Sequence, residues 1–413
     1  MAYRLTLAPW LKGYRPGDAA ADGLAALIVT LMLIPQSLAY ALVAGVPAQM
    51  GLYASILPLL AYALFGSSRT LAVGPVAVVS LMTAAAAGQV AGGDSGAYLA
   101  ATVILALLSG VFLVAMGLLR LGWIANLLSH SVISGFITAS GLLIAASQLK
   151  HLLGIPMQGD TLWELGLSAS REAAGVNGAT LLLGAAALLF LLWARGPLKR
   201  LLARTPLPPM LADLLAKAGP VLAVIGTTVA VAAGDLQSQG VAVVGAIPGG
   251  LPALSLPAFD AGVWGQLALP ALLISLIGFV ESVSVAQTLA AKRRQRIDSN
   301  AELIGLGAAN LASGVSGGFP VTGGFSRSVV NFDAGARSPM AGVFTAGGIA
   351  LTALFFTPWF YYLPKATLAA TIIVAVLTLV DLGALRRAWR YSKADFTAML
   401  VTLAGVLLAG VEI

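Results

Sequence analysis

Residues 23–68 read GLAALIVTLMLIPQSLAYALVAGVPAQMGLYASILPLLAYALFGSS, 46 positions without an Asp, Glu, Lys or Arg. A stretch this long cannot be the core of one soluble helix, whereas two membrane crossings of about 20 residues each account for it. It runs into Arg69-Thr-Leu-Ala-Val-Gly-Pro75, a break followed by another apolar run. Interruptions of that kind occur where a polytopic protein holds a ligand within the bilayer.

The whole chain carries the same signature: 59% of its 413 residues are hydrophobic and 9% are charged. A water-soluble fold of this size would aggregate with such a surface, so the solvent is lipid. Cys is absent, which removes disulfides, thiolate nucleophiles and cysteine metal sites. Two isolated histidines, His130 in an apolar helix and His151 in an outer loop, make no metal cage, and both are expected to be structural. Residues 1–18 carry Arg4, Lys12, Arg15 and Asp18 among turn formers and lack the apolar core of a cleavable signal.

Apolar runs between charges and turn residues predict thirteen crossings, near 20–43, 48–65, 75–90, 97–119, 122–148, 176–194, 218–234, 265–290, 299–314, 322–336, 338–357, 364–381 and 394–413. The third, ninth and tenth are too short to span about 30 Å of hydrocarbon alone. With the amino terminus in the cytoplasm, 19 of the 23 Lys and Arg fall on the inner side. Lys150, Arg171 and Lys365 fall outside, and Arg327 lies within a crossing. This excess supports both the count and the orientation, in a cell membrane. It also explains the net charge of +7 without a nucleic-acid partner. The basic cluster Lys292-Arg-Arg-Gln-Arg296 fits the same account, set against anionic membrane lipid. Residues 151–175 and 235–260 read as outer loops. The thirteenth helix would end at Val411-Glu412-Ile413 on the outer side with no polar tail; the expectation is a chain cut short, the alternative a natural outer terminus.

Two segments share a design of short extended piece, small breaking residues and short helix: Thr70-Leu-Ala-Val-Gly-Pro-Val-Ala-Val-Val-Ser80 and Gly318-Phe-Pro-Val-Thr-Gly-Gly-Phe-Ser-Arg-Ser328. The long helices before them, starting near 20 and 265, are offset by a similar interval, and each is interrupted near its middle, by Pro35-Gln36-Ser37 and by Glu281-Ser282. Because the first copy begins inside and the second outside, the halves are expected to be inverted repeats. Extended backbone in lipid must be buried in protein or line a polar cavity. If the two pieces face one another, the following helices start near the midplane with free amides and positive dipole ends converging, which makes an anion site. The plainer alternative is that Gly74-Pro75 and Gly323-Gly324 only mark kinks or tight packing.

Ile34-Pro-Gln-Ser-Leu-Ala-Tyr-Ala41, Gly51-Leu-Tyr-Ala-Ser55, Gly66-Ser-Ser-Arg69, Gly74-Pro-Val-Ala-Val78 and Ser326-Arg-Ser328, in this order, resemble the SulP family of sulfate permeases and related anion transporters. Met50 departs from it, standing where an aromatic residue is common. The resemblance implies an all-α polytopic fold of two inverted repeats of seven segments, with extended pieces before half-helices 3 and 10. It implies a core domain (here 1–119 and 261–357) and a gate domain (120–260 and 358–413), with substrate between segments 3 and 10 and an elevator-like shift of core against gate. A fourteenth segment and a cytoplasmic STAS domain would follow in the family; the expectation is that both are missing from this chain. The resemblance further implies a homodimer in the full-length protein, with those contacts in doubt for this chain.

Arg327 is the one cation in an apolar stretch, after 24 uncharged residues from Leu303 to Ser326. It either attracts the anion or forms a permanent salt bridge, and the resemblance favours the anion. Phe325, Ser326 and nearby amides are expected to contact substrate from the tenth helix, and Val76 and Ala77 from the third. Gln36 and Tyr40, four apart on one helical face, would line the wall or make an ordinary interhelical hydrogen bond. Glu281 reads as the only carboxylate inside a long crossing. It is the candidate coupling site for a co-transported proton or sodium ion, or else a simple partner of Arg327; no other cofactor is implied.

The expected function is therefore secondary transport of small anions: sulfate, bicarbonate, chloride or a dicarboxylate. A nucleobase permease of the same fold and an anion channel are the alternatives. Arg327 argues against the first, and the sequence leaves the second open. No HExxH, paired intramembrane aspartates or Cys nucleophile points to an enzyme.

Overall fold

The computed structural model describes residues 7–126, 130–202, 205 and 218–410. Residues 411–413, where the sequence places the end of the last crossing, lie outside them. In chain order come α1 (Pro16–Val43), α2 (Ala48–Tyr53), α3 (Leu57–Phe65), β1 (Val73–Gly74), α4 (Ala77–Ala91) and α5 (Ser95–Leu118). Next are α6 (His130–Ser147), α7 (Leu149–Leu153), α8 (Leu162–Arg171), α9 (Gly178–Trp193) and α10 (Gly219–Ala233). The rest are α11 (Ala261–Lys292), α12 (Ser299–Val315), β2 (Thr322–Gly323), α13 (Phe325–Asp333), α14 (Met340–Leu351), α15 (Lys365–Val376), α16 (Leu382–Tyr391) and α17 (Lys393–Ala409).

A helix falls in each of the thirteen predicted intervals. Seven helical spans among the described residues are long and apolar enough to cross a membrane: Pro16–Val43, Ala48–Phe65, Ser95–Leu118, Ser131–Leu153, Gly178–Leu198, Ala261–Lys292 and Met340–Phe360. Ala77–Ala91, Gly219–Ala233 and Lys365–Val376 are apolar but shorter. The chain is a mostly helical, multi-pass membrane protein.

Two local expectations need correction. Residues 151–175 are not a plain loop, because Thr161 and Glu164 form a capping box that starts α8: Thr161 Oγ1 accepts from Glu164 N, and Glu164 accepts from Thr161 N. His151 likewise sits in helix α7. The second crossing keeps its expected bounds, Ala48–Phe65, with a turn at residues 54–56 between α2 and α3.

The chain divides into two compact units, Met1–Leu128 with Gly250–Phe355 and Ser129–Gly249 with Phe356–Ile413. The first unit is fixed by close helix approach. A Cβ on Gly307 of α12 would stand 2.7 Å from the backbone nitrogen of Val114 in α5, and one on Gly110 would stand 2.7 Å from that of Leu311. Small residues at these crossings let backbones meet, which drives helix association where lipid tails remove the hydrophobic difference. Aspartates start three of its helices. Asp94, Asp260 and Asp298 accept from first-turn amides of α5, α11 and α12.

In the second unit α15 is buried from Ala366 to Val376 and packs against α9. By contrast α9 exposes Leu182 (74%) and Leu189 (66%), as expected of an all-round apolar helix beside lipid. Helix α17 packs against α6, and α16, carrying Arg386, Arg387 and Arg390, has no buried residue.

Candidate functional site

Within the first unit β1 and β2 form an antiparallel two-residue ladder, with Val73 opposite Gly323 and Gly74 opposite Thr322. Helix α4 begins three residues beyond Gly74 and α13 two residues beyond Gly323. The ladder thus joins two helix starts head to head. The first amides of a helix lack intrahelical acceptors. Neither Val76, before α4, nor Gly324, before α13, supplies a side-chain cap.

Extended backbone in so apolar an interior survives because polar side chains satisfy it. Asn310 of α12 donates to Val321 O at 2.8 Å and accepts from Val321 N at 2.9 Å. Ser282 Oγ accepts from Gly323 N at 2.8 Å and lies 2.6 Å from Thr322 Oγ1. On the first strand's side, Ala72 N donates to Ser328 Oγ at 2.9 Å, and Asn331 Nδ2 donates to Thr70 O at 3.0 Å. Gly324 N reaches Ala72 O at 3.0 Å. Ser328 and Asn331 are both on α13, so one helix carries the anchors of the opposite strand.

The loop leading into β1 hangs on one carboxylate. Glu302 of α12 is fully buried; its Oε1 accepts from Ser67 Oγ (2.6 Å), Ser67 N (2.8 Å) and Ser68 N (2.9 Å), and its Oε2 from Tyr62 Oη (2.7 Å). Ser68 Oγ in turn accepts from Leu71 N at 3.1 Å. Glu302 is thus a positioning residue for β1 and the start of α4. Sequence reasoning missed it, and also Asp22 in α1, which is as deeply buried. Glu281 is therefore not the only carboxylate within a crossing. Both sit near predicted helix starts, where an acidic residue reads as an ordinary first-turn preference.

Arg327, in the first turn of α13, is 2% exposed. Its guanidinium lies against two glycines: a Cβ on Gly324 would stand 2.8 Å from Nη2, and one on Gly74 would stand 3.4 Å from both Nη1 and Nη2. Any larger residue at Gly324 would push the guanidinium away. Nη1 donates to Pro75 O at 2.8 Å. Nε and Nη2 are buried and have no hydrogen-bond partner among the described residues. A buried guanidinium with unused donors costs several kcal/mol, so a compensating acceptor is expected.

The remaining predicted residues surround this point to different degrees. Val76 and Ala77 follow Pro75 directly, and Phe325 and Ser326 precede Arg327 in the same turn; Phe325 is 43% exposed. Tyr40 and Glu281 are close enough to act electrostatically on Arg327. Glu281 is buried, its Oε2 has no partner, and no Glu281–Arg327 ion pair forms among the described residues. Gln36 and Tyr40 are both buried on α1, which packs against α4 and α13. Chemically, the arrangement offers two helix starts and two free guanidinium donors to an oxygen-bearing anion.

The sequence profile of the sulfate permease family matches residues 20–402. The chain is 38% identical to chloroplastic sulfate transporter 4.1 of Arabidopsis thaliana, over 98% of its own length and 58% of the relative's. It is 35% identical to a probable sulfate transporter of Mycobacterium tuberculosis, over 97% of its own length and 68% of the relative's. It therefore spans little more than half the length of the plant relative. Among solved structures, SLC26A9 matches with a TM-score of 0.88 at 26% identity, over 97% of this chain and 64% of that one. The transmembrane domain of the cyanobacterial bicarbonate transporter BicA matches in fold with a TM-score of 0.81 at 22% identity, over 96% of this chain and 98% of that one.

Proposed function

This chain belongs to the sulfate permease family, and we propose that it is the membrane part of a secondary transporter that moves small anions across a cell membrane by alternating access. The observation that carries this reading is Arg327: a buried guanidinium with two nitrogens unpartnered, where two helix starts meet. Sulfate and bicarbonate are the first substrates to test, because relatives and a structural neighbour bear those names. Chloride and dicarboxylates come next, since amide and dipole sites recognise charge and size more than identity.

In this reading Arg327, Ser326, Phe325, Val76 and Ala77 contact the anion, and Gln36 and Tyr40 form the wall. The two halves are inverted repeats of seven segments. Segments 1–4 and 8–11 act as core and carry the site, the rest act as gate, the amino terminus is cytoplasmic, and the full-length protein is a homodimer. The decisive experiment is radiolabelled anion counterflow in proteoliposomes, with imposed proton and sodium gradients. Saturable counterflow of sulfate or bicarbonate is expected; a conductance without counterflow would make the protein a channel.

Glu281 is the coupling site in this proposal. Carrying a bare anion against an inside-negative potential costs about 2.3 kcal/mol per charge per 100 mV, and a co-transported cation offsets it. A buried carboxylate with an unpartnered oxygen is suited to take that cation. Glu281→Gln is expected to lose gradient-driven accumulation while keeping exchange. Driven accumulation at the parent rate would remove Glu281 from the role.

A further inference from the structure

The first unit gathers a second group of cations, away from the half-helix starts. A cavity of about 610 Å³ is lined by Lys12 and Tyr14 from the segment before α1, Asp18 from its first turn, Arg69 before β1, Arg293 after α11 and Arg337 between α13 and α14. Membrane orientation accounts for these cations being on one side. It gives no reason for residues so far apart in sequence to converge on one hollow.

Their local chemistry leaves the hollow positive. Arg293 donates to the carbonyls of Ala336 and Phe332, with its guanidinium 4.1 Å from the centroid of the Phe332 ring. Those partners are neutral, and Asp22 and Asp333 act on Arg293 from nearby without forming an ion pair with it among the described residues. Arg337 pairs with Asp18 at 3.0 Å, while its backbone nitrogen and both Ser338 donors hold the buried Asp22 carboxylate. No carboxylate forms an ion pair with Lys12, Arg69 or Arg293 among the described residues. Burial and the nearby Asp22 push the Tyr14 hydroxyl up to about 12, so it stays neutral. The Trp10 and Tyr14 rings, 5.8 Å apart edge to face, add an aromatic element beside the charges.

Forked guanidiniums suit tetrahedral oxyanions, and the volume exceeds what one inorganic ion needs. We propose that this cavity binds a phosphomonoester, its phosphate held among Lys12, Arg69, Arg293 and Arg337 and its organic part beside the two rings. The site is separate from the transport site. Its ligand bears on both half-helices, because Arg69 precedes Thr70, whose carbonyl is held by Asn331 of α13, and Arg337 follows α13 closely. A bound phosphomonoester therefore ties the amino-terminal segment to the loops that carry the transport site.

The same chemistry is available from a soluble metabolite or a lipid head group, and two probes separate them: glycerol 3-phosphate by calorimetry on the purified chain, and phosphatidic acid in nanodiscs, with phosphatidylcholine alone as control. Saturable binding of at least one probe is expected, with slowed amide exchange in residues 10–18 and 335–338. Binding of glycerol 3-phosphate assigns the soluble source, and protection by phosphatidic acid alone assigns the lipid. Lys12→Gln and Arg69→Gln should each weaken binding about tenfold or more. Among the described residues neither cation has an ion-pair partner to leave stranded, so both variants should unfold at the parent temperature. Arg327→Ala should bind the probe like the parent, because that residue lies outside the cavity. Binding of neither probe, or affinity unchanged in both cavity variants, overturns the proposal.

Discussion

Arg327→Ala is expected to raise the half-saturation concentration for the best transported anion by roughly 30-fold or more, or to abolish uptake. The two unpartnered nitrogens are the donors an oxyanion would take, and charge-assisted hydrogen bonds contribute about 1.5–3 kcal/mol each. Even partial additivity gives a loss of at least about 2 kcal/mol, which is that factor. Arg327→Lys should fall between, because an ammonium keeps the charge but cannot present a fork. The competing role is a permanent bridge to Glu281, and it makes a different demand. Breaking a buried ion pair from either side costs about 3–5 kcal/mol of stability. Since no such pair forms among the described residues, Arg327→Ala should unfold no more than a few degrees from the parent. Uptake at parental half-saturation would end the proposed role, and a large drop in unfolding temperature shared with Glu281→Ala would make the residue structural.

Glu302→Ala should be the most damaging single change to the fold. It strands two backbone amides and the hydroxyls of Ser67 and Tyr62 in a buried place, and leaves a void. Unsatisfied buried donors cost about 1–3 kcal/mol each, so a loss of about 4 kcal/mol or more is expected. Glu302→Gln should be milder, about 1–3 kcal/mol, because one amide oxygen can keep the Ser67 and Ser68 donors while Tyr62 turns its oxygen to accept. Transport should fall with stability in both, because the loop they loosen leads into β1. Thermal unfolding in detergent, paired with counterflow, checks this. An alanine variant that unfolds with the parent and transports normally would show that Glu302 positions nothing.

The two residues differ instructively in how legible they were. Arg327 stood out because a lone cation after 24 uncharged residues has no cheap explanation in lipid. Glu302 sits four residues after an aspartate cap, where acidic residues are ordinary, and only its four donors from a segment some 235 positions earlier reveal its task. Asn310, Ser328 and Asn331 were silent for the same reason. Small polar residues in membrane helices usually bond within their own turn, so a role in holding another strand cannot be read from spacing.

Composition and periodicity alone fixed the solvent as lipid, the number of apolar segments and the two interrupted stretches at 70–80 and 318–328, because the bilayer imposes length and polarity on each segment independently of the others. The register of Val73 on Gly323, the glycine seat for the Arg327 guanidinium and the convergence of Lys12, Arg69, Arg293 and Arg337 were decided only in three dimensions. Each depends on distances between residues far apart in the chain. Such distances follow from how helices pack, and packing is a property of all the segments together.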